Sequence, residues 1–473
     1  MLVVAARGTA GSGGRFRPFR DDVRDAPAVV AWLREQPWFD GRLAAVGPSY
    51  LGYTQLALAT DPPPELRAMV LLAPAANPGA SMWDHGAFRL QHALVVAAGI
   101  DTYHRGFAAF TLASARMALR LPRVARSQPL VDGYLAGTGG RRVPLFEDML
   151  AAGPDDDRWS GTDLRGAITN PGPAALLVTG WWDLLLEQTL DLFDRAVAAG
   201  RGPRLLVGPW THTSMVDRAG WPVVLPAILT FLSEQLGVEP LGPGAAGPSA
   251  ERPVRVHVGG PEAGWRDLSI WPPAARADLW LLQPDGLLEP AAAGPRPGRP
   301  SVVQYDPADP PPSLGGELPA RGGPVDNGRL EARDDVLVLT SAPLTGPLEV
   351  IGVVEARLDL TIGGEGAHVF VRLCDVDAGG TSRNVCDGIL AVPREDSAYS
   401  PAGGPVAVRL AATAHRFAAG HRLRVQISGG AFPRYARSTG TWEPAATARH
   451  LQKVTFELRH GTGTVLALPV TRG

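Results

Sequence analysis

Apolar positions along the first part of the chain follow two alternating rhythms. From Asp25 to Gln36, Val29, Trp32 and Leu33 recur at helical spacing, with Asp25 placed to cap the helix and Pro27 inside its first turn. Gly41 and Arg42 end that pattern. Leu43–Val46 is then a short continuous apolar run, as expected of a strand buried on both faces. A helical pattern restarts after Ser49 through Leu51, Gln55 and Leu58, and Ala68–Ala73 is the next unbroken apolar run. Alternation of this kind predicts a parallel α/β sheet. Met1–Ala6 is also apolar and reads as a short buried strand leading into the glycine-rich turn Arg7–Gly14.

Residues 78 to about 165 lack strand-like alternation. Pairs such as Leu90 and Leu94, Phe107 and Phe110, and Met117 and Leu121 recur at three or four, which predicts an all-helical insertion. The α/β signal resumes with Ala174–Thr179 as strand, Leu184–Ala198 as helix and Arg204–Val207 as strand. Pro- and Gly-rich stretches follow at Pro240–Pro253 and Pro290–Pro300. Beyond about Ala277 the runs are short and separated by turn residues: Val336–Leu339, Leu348–Ile351, Ala356–Leu360, Leu423–Ile427 and Val454–Leu458. They predict an all-β sandwich. The expected organisation is an α/β domain in two parts, 1–77 and 166–275, an all-helical insertion at 78–165 and a β domain at 276–473.

Composition narrows the function. Basic and acidic residues nearly cancel, 45 against 47, so neither nucleic acid nor an anionic membrane is an expected partner. Lys453 is the only lysine; the other basic residues are arginines. The two cysteines, Cys374 and Cys386, exclude a disulfide scaffold and a cysteine-built zinc site, and two reduced thiols are expected even if they meet across a hairpin. No apolar run reaches the length of a membrane span, and Met1–Ala6 is too short for a signal-peptide core, so a cytoplasmic location is expected. The glycines of residues 8–14 carry neither a GK[ST] nor an intact G-x-G-x-x-G, so a tight turn is expected there, not a phosphate cradle. His257, His415 and His421 show no metal-ligand spacing. No metal or cofactor is expected.

Three residues carry candidate chemistry. Ser49 lies in Gly47-Pro48-Ser49-Tyr50-Leu51-Gly52, between a strand and a helix, where a nucleophile elbow requires small neighbours. The second glycine stands one place later than G-x-S-x-G demands, and a serine between glycines after a strand also fits a plain turn. Asp183 follows the strand ending at Thr179 and fits a helix cap as well as a catalytic acid. His212 follows the strand ending at Val207 and fits a solvent-facing loop as well as a base. Together they lie past the carboxyl ends of strands, where open α/β sheets bind ligands, in the order Ser…Asp…His. The combination predicts a catalytic triad, with the backbone N–H of Tyr50 as an oxyanion donor.

With these motifs the chain resembles the cocaine-esterase-like (CocE/NonD) hydrolases, relatives of X-Pro dipeptidyl-peptidases and α-amino-acid ester hydrolases. The resemblance continues through Trp38-Phe39-Asp40-Gly41, Gly180-Trp181-Trp182-Asp183, Gly208-Pro209-Trp210-Thr211-His212, Trp265-Arg266-Asp267, Trp271-Pro272, Tyr305–Pro310 with Gly315-Gly316, Cys386-Asp387-Gly388 and Gly420–Leu423. It implies an α/β-hydrolase domain in those two parts, the helical insertion as its cap, and a C-terminal, galactose-binding-like jelly roll. It also implies Ser49 as nucleophile, His212 as general base and Asp183 as the residue that orients it. Arg7-Gly8 with its glycine loop also matches the family, in which a tyrosine from a loop before that motif completes the oxyanion hole. This chain offers no residue for that role, so a chain that starts late, with impaired activity, is expected.

Trp83, Phe107, Trp182 and Leu185 are the expected substrate-pocket residues, with His85, Phe88, His92 and Phe110 as further aromatic candidates that core packing would equally explain. Leu184, Leu185 and Leu186 directly after Asp183 favour an apolar acyl group, and Glu187 fits a solvated helix position better than a carboxylate holding a substrate ammonium. The expected function is a serine hydrolase cleaving a small ester or amide through an acyl-enzyme. The alternatives are an X-Pro dipeptidyl-peptidase acting on short peptides, or an impaired homologue acting as a binding protein. Oligomeric state is left open.

Overall fold

The computed structural model describes residues 1–153, 156–239, 247–318, 322–392, 404–441 and 443–471. Part of the Pro240–Pro253 stretch therefore lies outside the described residues. A six-stranded sheet forms the centre of the first half, in the spatial order β1 (Leu43–Ser49), β2 (Leu66–Pro74), β3 (Ala174–Trp182), β4 (Arg204–Thr211), β5 (Val254–Val258) and β6 (Gly264–Leu268). β1 to β5 run parallel, and β6 turns back antiparallel on β5. Helices α1 (Asp22–Arg34), α2 (Tyr50–Leu58), α3 (Leu186–Ala198) and α4 (Trp221–Leu236) cover it. Because parallel strands are buried on both faces, β2 is buried at every position but one, and β4 likewise.

Met1–Ala6 departs from expectation. It forms no strand, and Met1, Leu2, Val3 and Val4 are exposed. An apolar run becomes a strand only against a ladder partner, and here the neighbouring backbone closes a turn instead. Thr9 N–H donates to the Ala6 carbonyl, the Ser12 hydroxyl to the Ala5 carbonyl, and Gly8 N–H to the Gly13 carbonyl. Arg7 fastens this turn to α1 through Asp25 (Nε to Oδ2, 2.9 Å), so its glycines serve a tight turn.

Between β2 and β3 lie the helices Leu90–Ile100, Phe107–Ala125, Leu130–Thr138 and Pro144–Ala151, with their own core around Phe88, Leu94, Met117, Tyr134 and Phe146. The insertion is not wholly helical: Trp83–Asp84 pairs antiparallel with Ala87–Phe88. From Arg276 onward, eleven strands form an all-β domain. The runs at 348–351 and 356–360 belong to one strand, Leu348–Gly363, continuous past a bulge near Val353 and Glu355 where it pairs with Gly404–Phe417. The β domain docks on the hydrolase sheet through backbone bonds between Gly259 and both Ala414 and Arg416, and through Glu187, whose carboxylate accepts from Ala412 N–H at 3.0 Å. Glu187 thus contacts the β domain through one oxygen while its side chain stays 42% exposed.

Candidate active site

Ser49 ends β1 in a backbone conformation that serine rarely adopts, φ 57° and ψ −118°, immediately before α2 begins. Such strain persists only where the surroundings enforce it. Two glycines permit it. A Cβ on Gly47 would meet the Leu51 Cβ at 2.5 Å, and one on Gly52 would meet Pro74 of β2 at 2.6 Å. The shift of the second glycine relative to G-x-S-x-G is thereby explained: the position that must be small is the one facing β2, whereas Leu51 points outward and is half exposed. Gln55 donates to the Gly47 and Leu51 carbonyls and ties the first turns of α2 to the elbow. Tyr50 is held through its side chain, its hydroxyl donating to Asp22 of α1 at 2.7 Å and its ring packing edge-on to Phe19. Its backbone N–H opens α2, where N–H groups have no intrahelical acceptor.

Two strands further on, Asp183 follows β3 and is fully buried. Its Oδ1 accepts the Leu185 N–H at 2.8 Å. His212, directly after β4, places Nδ1 3.0 Å from Asp183 Oδ2 and 3.1 Å from Oδ1. Burial alone would pull the imidazole pKa down; the charge of Asp183 and its hydrogen bond more than reverse this and leave it above the ordinary value. Gly180 allows the two strand ends to approach, since a Cβ there would meet the Trp210 carbonyl at 2.2 Å. The structure thus joins Asp183 to His212 directly. The Ser49 hydroxyl makes no hydrogen bond to either among the described residues.

The expected pocket residues are placed unequally. Leu185 is buried in the core of the hydrolase sheet, and its contribution near the site is the N–H that orients Asp183. Trp182 is half-buried at the end of β3, facing Gly323 of the β domain. Trp83 is half-buried in the cap, with Nε1 donating to the Ala152 carbonyl. Phe107 is 72% exposed and stacks on Phe110. A residue opening a helix on the outer face of the cap has nothing to cover it, so Phe107 does not share the enclosed position of the others.

The cap and the β domain meet beside Asp183 in a chain of buried ion pairs that sequence reasoning missed. Arg89 bridges Asp84 (3.0 Å) and Glu317 (3.3 Å), Arg434 bridges Glu317 (2.8 Å) and Asp387 (2.6 Å), and Arg372 closes the chain on Asp387 (2.8 Å). Arg89 also donates to the Leu184 carbonyl at 3.1 Å. Asp387 lies in the Cys-Asp-Gly motif and Glu317 directly follows Gly315-Gly316, so position in a shared motif was the available signal. Spacing hid another cluster as well: His415 and His421 both hold Asp375, at 2.9 and 2.7 Å. Cys374 and Cys386 lie on adjacent antiparallel strands as free, buried thiols. Among the described residues no group of three or more His, Cys, Asp or Glu could hold a metal ion, and no helix is long and apolar enough to cross a membrane.

An α/β sheet carrying a serine elbow and an Asp–His pair at its strand ends, followed by an all-β domain, agrees with comparisons to known proteins. The X-Pro dipeptidyl-peptidase (S15 family) pattern matches residues 1–214, and that of the X-Pro dipeptidyl-peptidase C-terminal non-catalytic domain matches residues 247–464. The cocaine esterase of Rhodococcus sp. (strain MB1 Bresler) is 30% identical over 481 aligned positions, covering 93% of this chain and 82% of the relative. An aminopeptidase from a marine-sediment Thaumarchaeota archaeon superposes with a TM-score of 0.83 at 22% identity, over 99% of this chain and 84% of its own. An α-amino acid ester hydrolase superposes at 0.81 and 21% identity, over 98% and 84%. The chain belongs to the cocaine-esterase-like family of S15 serine hydrolases.

Proposed function

We propose that this protein hydrolyses a small ester or amide through a Ser49–His212–Asp183 triad and an acyl-enzyme. The observation that carries the reading is the strained Ser49 backbone at a strand-to-helix turn, two strands from a buried Asp183–His212 pair. A serine hydroxyl attacks only when a neighbouring base takes its proton. With Nδ1 committed to Asp183, His212 keeps its proton on that nitrogen and presents Nε2 as the acceptor. Ser49 Oγ then adds to the substrate carbonyl, and the proton held by His212 passes to the leaving alcohol or amine. Water, deprotonated by the same nitrogen, releases the acid and restores Ser49. The Tyr50 N–H, at the amino end of α2, stabilises the negative oxygen of the tetrahedral intermediate. Leu184, immediately after the acid, supports an acyl group that is apolar near its carbonyl.

Covalent labelling of Ser49 by a fluorophosphonate, mapped by peptide mass, tests the assignment. Labelling elsewhere, or aryl-ester hydrolysis that survives Ser49→Ala, overturns it. Turnover of a chromogenic Xaa-Pro dipeptide in preference to an aryl ester would shift the reading to the peptidase side of the family.

A further inference from the structure

The turn that carries Asp183 is held at three successive peptide groups. Asp183 N–H donates to the Gly180 carbonyl, and the Asp183 carbonyl accepts from Leu186 N–H, each at 3.0 Å. The third group is the peptide joining Leu184 to Leu185. Its N–H donates to Asp183 Oδ1 at 2.8 Å, and its carbonyl accepts from Nη1 of Arg89 at 3.1 Å. A trans peptide is planar, with its N–H and C=O pointing opposite ways, so holding the oxygen also fixes the direction of the hydrogen. The side chains of Leu184 and Leu185 are buried hydrocarbon and offer no hydrogen bond of their own. Arg89 therefore grips, from outside the turn, the backbone group that steadies the carboxylate facing His212.

Arg89 is itself firmly held. Its side chain is only 11% exposed; Nη2 donates to Asp84 of the cap at 3.0 Å, and Nη1 also reaches Glu317 of the β domain at 3.3 Å. Both carboxylates have a second partner: Asp84 accepts from the Tyr435 hydroxyl at 2.5 Å, and Glu317 from Arg434 at 2.8 Å. The contact peculiar to Arg89 is the Leu184 carbonyl. A guanidinium on that oxygen also polarises the peptide and makes its N–H a stronger donor to Asp183.

Resting on the triad reading above, we infer that Arg89 is a positioning residue for the reaction: acting through the Leu184–Leu185 peptide, it aims the Asp183 carboxylate at His212 Nδ1 from a seat shared by the cap and the β domain. The β domain thereby bears on catalysis through Glu317 without contributing a member of the triad.

The test compares Arg89→Met, Arg89→Lys and Arg434→Met with the wild-type protein on an activated aryl ester. Two quantities are read. One is kcat per active site, with sites counted by fluorophosphonate labelling carried to completion. The other is the downfield proton resonance of the His212 Nδ1–H, identified by its absence in His212→Gln. Arg89→Met is expected to lower kcat per site by about tenfold to a hundredfold with little change in KM, the scale of a small misplacement at the reacting centre. It should also broaden or abolish the resonance, because a loosened Asp183 no longer protects that proton from exchange. Arg89→Lys keeps a charged donor without the fork and should fall between Arg89→Met and wild type; it decides by the same two readings if Arg89→Met does not fold. Arg434→Met breaks the ion-pair chain one link away and should lower stability while leaving kcat per site and the resonance near wild type. A kcat per site within about twofold of wild type in Arg89→Met, an unaltered resonance, or an equal loss in Arg434→Met would overturn the inference. If Ser49 of the wild-type protein does not label, the triad reading fails instead, and the resonance alone still decides whether Arg89 orients Asp183.

Discussion

Two sets of buried carboxylates lie on either side of Leu184 and differ in what surrounds them. Asp183 faces a single imidazole, and its second oxygen is steadied by one backbone N–H, so its charge is exerted on a group that can still exchange a proton. Glu317 and Asp387 face guanidiniums, which do not titrate, and every charge in their chain is answered by another. The partner decides the role: imidazole turns a buried carboxylate into a tuning device, whereas arginine turns it into a clamp between cap and β domain. The same contrast appears in their own acidity. Arg434 and Arg372 hold Asp387 below the ordinary carboxyl range against the opposing effect of burial. In Glu317 burial prevails over Arg434 and Arg89, raising it to about 7.

That comparison is most sharply tested on the catalytic side. Ser49→Ala is expected to lower kcat on an activated aryl ester by on the order of 10⁶, as for other triad nucleophiles, with Ser49 labelling abolished; a loss of less than about tenfold would remove Ser49 from the mechanism. Asp183→Asn is expected to lower kcat by about 10⁴, through the wrong imidazole tautomer. The pH profile gives the sign. In the proposed mechanism His212 must be neutral to accept a proton, so kcat/KM is expected to fall as pH drops through its pKa, which the carboxylate holds above the ordinary 6.5. In Asp183→Asn the carboxylate is gone and burial remains, so the acid limb should move down; an unmoved limb would show that Asp183 does not set it.

On the clamp side the expected loss is in stability. Arg434→Met leaves Glu317 and Asp387 each short of a partner in a buried setting and should cost about 3–5 kcal/mol in denaturant unfolding. A change below about 1 kcal/mol would mean that the chain is not a clamp. The smallest effect is expected at Tyr50→Phe, which removes the hydroxyl donated to Asp22. It should destabilise by about 1–2 kcal/mol, since the Asp22 carboxylate loses its partner within the protein.

Much of this architecture was legible because it rests on local pattern. The apolar runs of β1 to β4 and the helical spacing after Ser49 mark their elements, since strands and helices impose periods of their own. Asp183 and His212 could be singled out because each stands just past such a run, and the structure pairs them. Met1–Ala6 misled for the converse reason: apolar character does not supply a ladder partner. The position of the second elbow glycine was visible, but its reason lay in Pro74, 22 residues onward and on the next strand.

By itself, then, the sequence determined the alternation of strands and helices, the order Ser–Asp–His at strand ends and the change to short β runs, because each depends on residues adjacent along the chain. Only the tertiary structure decided that Ser49 is strained, that His212 is raised by Asp183, and that Phe107 lies on the surface of the cap. It alone brought Arg89 of the cap to Glu317 and Arg434 of the β domain, groups more than 200 residues apart. Burial, distance and the partner across an interface fix what a charged side chain does, and none of these is a property of local order along the chain.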